Sequence, residues 1–329
     1  MKTRSGPHSR IGVVIIGRNE GERLIRCLQS LFPTEMPVVY VDSGSTDGSV
    51  ADAKAYGAEV VALDLSVPFT AARARNMGFA TLKNHCPSVE FVQFIDGDCS
   101  LVSGWLSIAL AFLTKHKDVA VVCGRRREIN PEGSVYNWLC DIEWDTLIGQ
   151  TVACGGDALI RVAPFEQCGG YRESLVAGEE PELCLRLREL GWKIWRIDVD
   201  LTRHDAAITK FTQWWRRCRR GGYGMIEVAI LHILSPSRIW ARESARAIVY
   251  GGIVPAIFIA GAVYPPLFLI ALVYPLLILK IAGRHGVQDP RSWTYALMVT
   301  ISKFAEFTGI VNFTVDRLRR RRRKIIEYK

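Results

Sequence analysis

The chain has 329 residues, 49% of them hydrophobic, and a formal net charge of +9. That length buries one large core or two smaller ones. The nine cysteines stand singly, with no CxxC pair or Cys/His cluster at zinc-site spacing, which excludes a zinc ribbon and argues for reduced thiols rather than a disulfide framework. A basic balance suits nucleic acid, an anionic membrane surface or phosphate-bearing substrates. No nucleic-acid motif occurs and the basic residues flank apolar segments, so the last two are expected and nucleic acid is not.

Residues 1–10 form a polar, basic extension without a signal-peptide pattern, since the apolar run behind it holds Gly17, Arg18 and Asn19. From Ile11 to about Val122, short β-rich runs alternate with helical stretches. Ile11–Ile16, Val38–Val41, Glu59–Leu63 and Phe91–Ile95 read as strands, with a helix over about Glu22–Leu31. Such alternation predicts an α/β domain built on a parallel sheet with crossovers. Ligands of such sheets sit beyond the carboxyl ends of the strands, and three polar clusters lie there: Asn19-Glu20, the turn Asp42–Gly48, and Asp96-Gly97-Asp98.

Two carboxylates one residue apart at a strand end can project toward one hard divalent cation, Mn²⁺ or Mg²⁺, with substrate phosphates as co-ligands. The same three residues also read as a simple turn. Asp42 offers acceptors to a base or ribose, while its Ser, Gly and Thr neighbours serve equally as the cap of a helix over Gly48–Tyr56. Arg73, Arg75 and Asn76 supply donors suited to phosphate or base, or form a solvated helix face. Further on, Pro181–Leu190 looks helical, and the acids Glu179, Glu180 and Glu182 before and within it suit the positive end of the helix dipole. Gln213-Trp214-Trp215-Arg216-Arg217 reads as an aromatic, basic juxtamembrane face, in which Arg216 offers a bidentate fork for phosphate oxygens. His204 is either a third metal ligand, a diphosphate donor or a structural histidine.

Ala247–Ile281 carries one charge, Lys280, and is broken by Pro265-Pro266. It reads as a hairpin (about 247–281) of two arms of roughly seventeen residues, spanning or re-entrant. Its basic flanks place both ends on the cytosolic face of the inner membrane. Trp293–Val315 contains Lys303 and Glu306 and is expected to lie in the interface (about 293–315), followed by a basic tail, 317–329, on anionic headgroups.

The order of Asn19-Glu20, Asp42–Gly48, Arg75-Asn76-Met77-Gly78, Asp96-Gly97-Asp98, Gly155-Gly156-Asp157, Gly169-Gly170-Tyr171 and Gly178–Leu183 resembles the family 2 glycosyltransferases of GT-A fold. The resemblance covers roughly the first two-thirds of the chain. It implies a Rossmann-like mixed sheet over 11–235, with a nucleotide-sugar half (11–124) and an acceptor half (125–235), ahead of membrane-associated helices (236–316). It also implies inverting transfer from a nucleotide diphosphate sugar, usually a UDP-sugar, with Asp42 on the uracil, Asp96 on the ribose or metal side and Asp98 on the metal. Asn19, Glu20, Arg73, Arg75, Asn76, Gly97, Gln213 and Arg216 are expected along the nucleotide sugar. Glu180 is the implied general base, with Glu179 as its alternative. Arg217 stands where processive members carry Trp, which argues against processivity. Because a soluble acceptor needs no membrane anchor, the expected acceptor is a hydroxyl of a lipid-linked glycan, as in exopolysaccharide assembly. A polyprenyl phosphate is the second choice and a non-catalytic membrane scaffold the third.

Overall fold

Ile11 to Ile16 are all buried, the mark of a central strand covered on both faces. This strand, β1 (Ile11–Gly17), sends Val14 and Ile16 into one apolar cluster and Val13 and Ile15 into another, so it separates two layers of core. The computed structural model describes residues 10–319. The rest of the expected N-terminal extension, and the basic tail beyond Arg319, lie outside the described residues.

The chain continues through α1 (Glu22–Gln29), β2 (Val38–Asp42), α2 (Ser49–Ala55), β3 (Glu59–Ala62), α3 (Ala71–His85) and β4 (Phe91–Asp96). It then forms β5 (Cys99–Leu101), α4 (Trp105–Lys115), β6 (Val119–Glu128), α5 (Val135–Glu143), β7 (Gly149–Thr151), β8 (Ala158–Arg161), α6 (Val162–Gln167), α7 (Glu179–Glu189) and β9 (Lys193–His204). The sheet order is β3-β2-β1-β4-β8-β6-β9-β5, with β7 also on β9. β3 to β4 run parallel, as the alternating pattern predicted. Beyond β4 the sheet turns mixed, because β8 pairs antiparallel with both β4 and β6. This is the α/β, GT-A-like architecture that the resemblance implied.

α1 and α2 cover one face through Leu24, Cys27, Leu28 and Ala53, while α3, α4 and α7 cover the other. α3 starts at Thr70, whose side chain accepts the Arg73 N–H at 3.1 Å. Gly78 lets this helix lie close on the sheet, since a Cβ there would overlap the Val14 side chain. That close approach presents Arg75 to the end of β4.

The chain divides into two compact units, one formed by residues up to Ser174 with Glu179–Thr209, the other by Leu175–Gly178 with the residues from Lys210 onward. The first unit therefore ends well before residue 235. The expected boundary was too late because α8 (Phe211–Leu231), polar and basic at its start, packs with the C-terminal helices. α9 (Ala241–Ile248) and α10 (Val254–Ala260) join through a π turn into one 20-residue helix. A 3₁₀ segment, Pro265–Leu272, runs into α11 (Val273–His285), making 21 residues, and α12 (Pro290–Leu318) has 29. All three are long and apolar enough to cross a membrane.

The expected hairpin arms are thus longer than read, and the proline pair starts the second arm. α12, expected in the interface, is also long and apolar enough for a span, and within it Lys303 and Glu306 pair with each other at 2.7 Å. Small residues bring these helices together: a Cβ on Gly222, Gly251 or Gly309 would overlap the backbone carbonyls of Glu306, Lys303 and Arg219 respectively.

Candidate active site

The loops after β1 and β2 are laced together. Asn19, at a positive φ of 53°, donates its N–H to Ser45 Oγ at 2.9 Å, and its side-chain oxygen accepts the Thr46 N–H at 2.7 Å. Asp42 is buried. One carboxylate oxygen accepts the Gly44 and Ser45 N–H groups at 3.0 and 2.9 Å, and the other takes the Tyr40 hydroxyl at 3.3 Å. Glu20 pairs with Arg23 at 2.8 Å. Arg73 donates to the Val67 carbonyl at 3.0 Å. Asn76 clamps the loop at Tyr171, accepting its N–H at 2.9 Å and donating to its carbonyl at 2.8 Å. Asn19, Asp42, Arg73 and Asn76 thus brace the loops around the strand ends by bonding to their backbone.

The charged centre forms around Arg75, which is only 2% exposed. Its guanidinium lies 2.8 Å from Asp96, 3.0 Å from Glu179 and 3.1 Å from Glu180. Gly156 fits against this group, where a Cβ would overlap Arg75 and crowd Asp96 and Glu180. Burial works against ionisation of Asp96, but Arg75 and Arg126 outweigh it and hold the carboxyl well below its usual range. The Glu180 carboxyl is pushed up to about 7 by burial and by the Glu179 charge, against the pull of Arg75. Two carboxyls on one guanidinium therefore have separated proton affinities, an arrangement that suits one to bind and the other to exchange a proton.

Asp98 follows at the turn into β5, where Gly97 donates its N–H to the Ile16 carbonyl at 2.8 Å. β5 pairs with β9 so that Cys99 faces His204, and Nε2 of His204 lies 3.3 Å from Asp98. Burial pulls the imidazole's proton affinity down despite the Glu128 carboxylate 3.7 Å away, keeping the ring neutral at pH 7. Burial also pushes the Cys99 thiol up, so it stays protonated. Ligand atoms of Asp98, Cys99 and His204 lie within 4.8 Å of one another, as do those of Asp96, Cys99 and Asp157. A carboxylate beside a neutral imidazole suits a divalent cation such as Mn²⁺; a protonated thiol does not.

Arg126 and Asp157 were absent from the expected site. Arg126 lies 3.2 Å from Asp96 and 2.7 Å from Asp157, with its guanidinium 5.5 Å from the centre of the Trp144 ring. Trp144 in turn sits edge-on to His204 at 4.6 Å. The Arg125-Arg126-Arg127 run at a strand end and the aspartate after Gly155-Gly156 are the sequence signals that point to them. Gln213 and Arg216 lie on α8 in the second unit, where Gln213 caps the helix by accepting the Lys210 N–H at 3.0 Å.

Residues 12–169 match the family model described as glycosyl transferase family 2. The chain is 30% identical over 242 residues to the pre-mycofactocin glycosyltransferase of two Mycobacterium tuberculosis strains, a match covering 69% of this chain and 49% of each relative. It thus spans about half the length of the curated relatives it matches. Among solved structures, a mannosyltransferase from Pyrobaculum calidifontis, solved with GDP-Man and Mn²⁺, superposes with a TM-score of 0.61 at 17% identity. That match covers 96% of this chain and 90% of the other, and shows a shared fold.

Proposed function

We propose that this chain, whose residues 12–169 belong to glycosyl transferase family 2, moves a sugar from a nucleotide diphosphate sugar to a hydroxyl of a lipid-linked acceptor at a membrane surface. The observation that carries this reading is the convergence of Asp96, Arg75 and Glu180 beyond β4, with Asp98 and His204 beside them. Charge develops on the departing diphosphate, and a divalent cation, when bound, supplies the positive charge that stabilises it. Asp98 and His204 would hold that cation, and their donor set fits it. Asp96, fixed between two guanidinium groups, would meet the donor's ribose, while Asp42 and its turn would meet the base.

Glu180 is the base in this reading. The acceptor hydroxyl oxygen forms a bond to the anomeric carbon from the face opposite the diphosphate, the carbon–oxygen bond to the diphosphate breaks, and the hydroxyl proton passes to a Glu180 carboxylate oxygen. Arg75 keeps Glu180 oriented and limits how far burial raises its proton affinity. Three helices long and apolar enough to cross a membrane support an acceptor delivered from lipid, with the catalytic unit on the cytosolic face.

The resemblance favours uridine as the donor base, while the mannosyltransferase of the same fold was solved with GDP-Man, so both bases belong in the test. Purified full-length protein with MnCl₂, a panel of UDP- and GDP-sugars and a membrane lipid extract is expected to release nucleoside diphosphate and give a glycosylated lipid by mass spectrometry. Absence of turnover with every donor would sink the reading. A phosphate nucleophile needs no strong base, so full activity of Glu180→Gln would instead mark a polyprenyl phosphate as the acceptor.

A further inference from the structure

Asp157 directly precedes β8 and its carboxylate is almost wholly buried. One oxygen accepts the Asp96 backbone N–H at 3.1 Å. The other accepts the Thr202 hydroxyl at 2.7 Å and pairs with Arg126 at the same distance. These donors come from β4, β9 and β6, so one side chain ties three strands together behind the site. The Arg126 nitrogen that meets Asp157 also lies 3.2 Å from the outer oxygen of Asp96, whose other oxygen belongs to Arg75.

We propose that Asp157 is a positioning residue that fixes Asp96 for the donor, through the Asp96 N–H and through Arg126, and is not itself a cation ligand. Its atoms stand close enough to Asp96 and Cys99 to form a metal-like trio. However, a carboxylate has about four acceptor sites, and three donors, one of them a guanidinium, already meet this one. A cation placed there would also face the Arg126 guanidinium at short range. Asp157 thus anchors the first carboxylate of the Asp96-Gly97-Asp98 turn from behind. A group held by buried partners in one rotamer meets its ligand without reordering.

This inference rests on the glycosyltransferase reading, and its test is a binding measurement that separates the two. Full-length protein is titrated with UDP and with GDP in MnCl₂ by calorimetry. If the unaltered chain binds neither nucleotide, the functional reading fails. If it binds, Asp157→Asn, which keeps size but removes the charge opposite Arg126, is expected to raise the nucleotide Kd about 10-fold at saturating Mn²⁺. The Mn²⁺ concentration for half-maximal binding at saturating nucleotide should move less than about 3-fold, against more than about 10-fold in Asp98→Asn. A Mn²⁺ shift in Asp157→Asn as large as that of Asp98→Asn would make Asp157 a ligand and overturn the proposal, as would an unchanged nucleotide Kd. Should Asp157→Asn fail to fold, Thr202→Val removes one donor without changing charge and is expected to show a weaker form of the same split; no change in either constant then overturns the proposal.

Discussion

Nε2 of His204 and a carboxylate oxygen of Asp98 lie 3.3 Å apart because β5 returns from the end of β4 and pairs with the last residues of β9. A carboxylate and a neutral imidazole at this spacing form a ready pair of ligands for one divalent cation. Asp98→Asn is expected to lower nucleotide release about 100-fold. EDTA should abolish turnover in the unaltered protein and MnCl₂ restore it; turnover that persists in EDTA would count against a cation at this pair.

Glu180 stands at about 7 in the fold, against an ordinary 4.5. As the proposed base it must be ionised to accept a proton, so kcat/KM should climb roughly tenfold per pH unit below about 7 and level off above it. Glu180→Gln should remove about 10²- to 10⁴-fold of the rate toward a hydroxyl acceptor. The same shift has a stability consequence of definite sign. Between 4.5 and about 7 the folded protein keeps a proton that the unfolded chain gives up, so Glu180 contributes a loss of stability as pH rises through that window. Melting curves from pH 5 to 8 should show the loss reduced in Glu180→Gln.

Arg75 neutralises three carboxylates while itself 2% exposed. Arg75→Met would leave Asp96, Glu179 and Glu180 repelling one another in a desolvated site, a cost of about 3–5 kcal/mol when a buried pair loses one partner. The melting temperature should drop accordingly, and more than in Arg73→Met, whose side chain bonds only within its own loop region. Equal losses in the two variants would contradict the central role of Arg75.

In the second unit, Gly309 lies against the Arg219 carbonyl with no room for a side chain. Gly309→Ala should force α12 away from α8 and cost about 1–3 kcal/mol by overpacking. Gly283, which has nothing within 4 Å of a Cβ position, serves as the control. Thermal unfolding in detergent should distinguish them, with Gly283→Ala no less stable than the unaltered protein, since Ala is the better helix former.

The sequence made the parallel half of the sheet legible because each strand there is a short apolar run ending in a polar turn. The antiparallel half was harder to see. Nothing local announces that β8, four residues long, inserts between β4 and β6, and so nothing places Asp157 behind Asp96. Arg126 was hidden differently: within a run of three arginines it resembles a solvated patch, yet it turns onto Asp96 and Asp157 while Arg127 remains exposed. For Asn19 and Asn76 the residue type and position were legible, but their bonds run to neighbouring loops. α8 was assigned to the wrong unit because its Trp- and Arg-rich start masks the glycines at 221, 222 and 224, which mark helix packing rather than the edge of a sheet domain.

β5 has only three residues and pairs with β9 alone, at the end of the sheet order. Few ladder bonds hold the amides of Cys99–Leu101, so their exchange with solvent deuterium should be among the fastest of any strand in this unit. Asp98 sits at the start of that strand, so occupancy of the neighbouring ligand pair would be transmitted to those same amides. Slowed deuterium uptake at residues 99–101 on adding nucleotide and Mn²⁺ would therefore report loading of the site even in a protein for which no acceptor has been found.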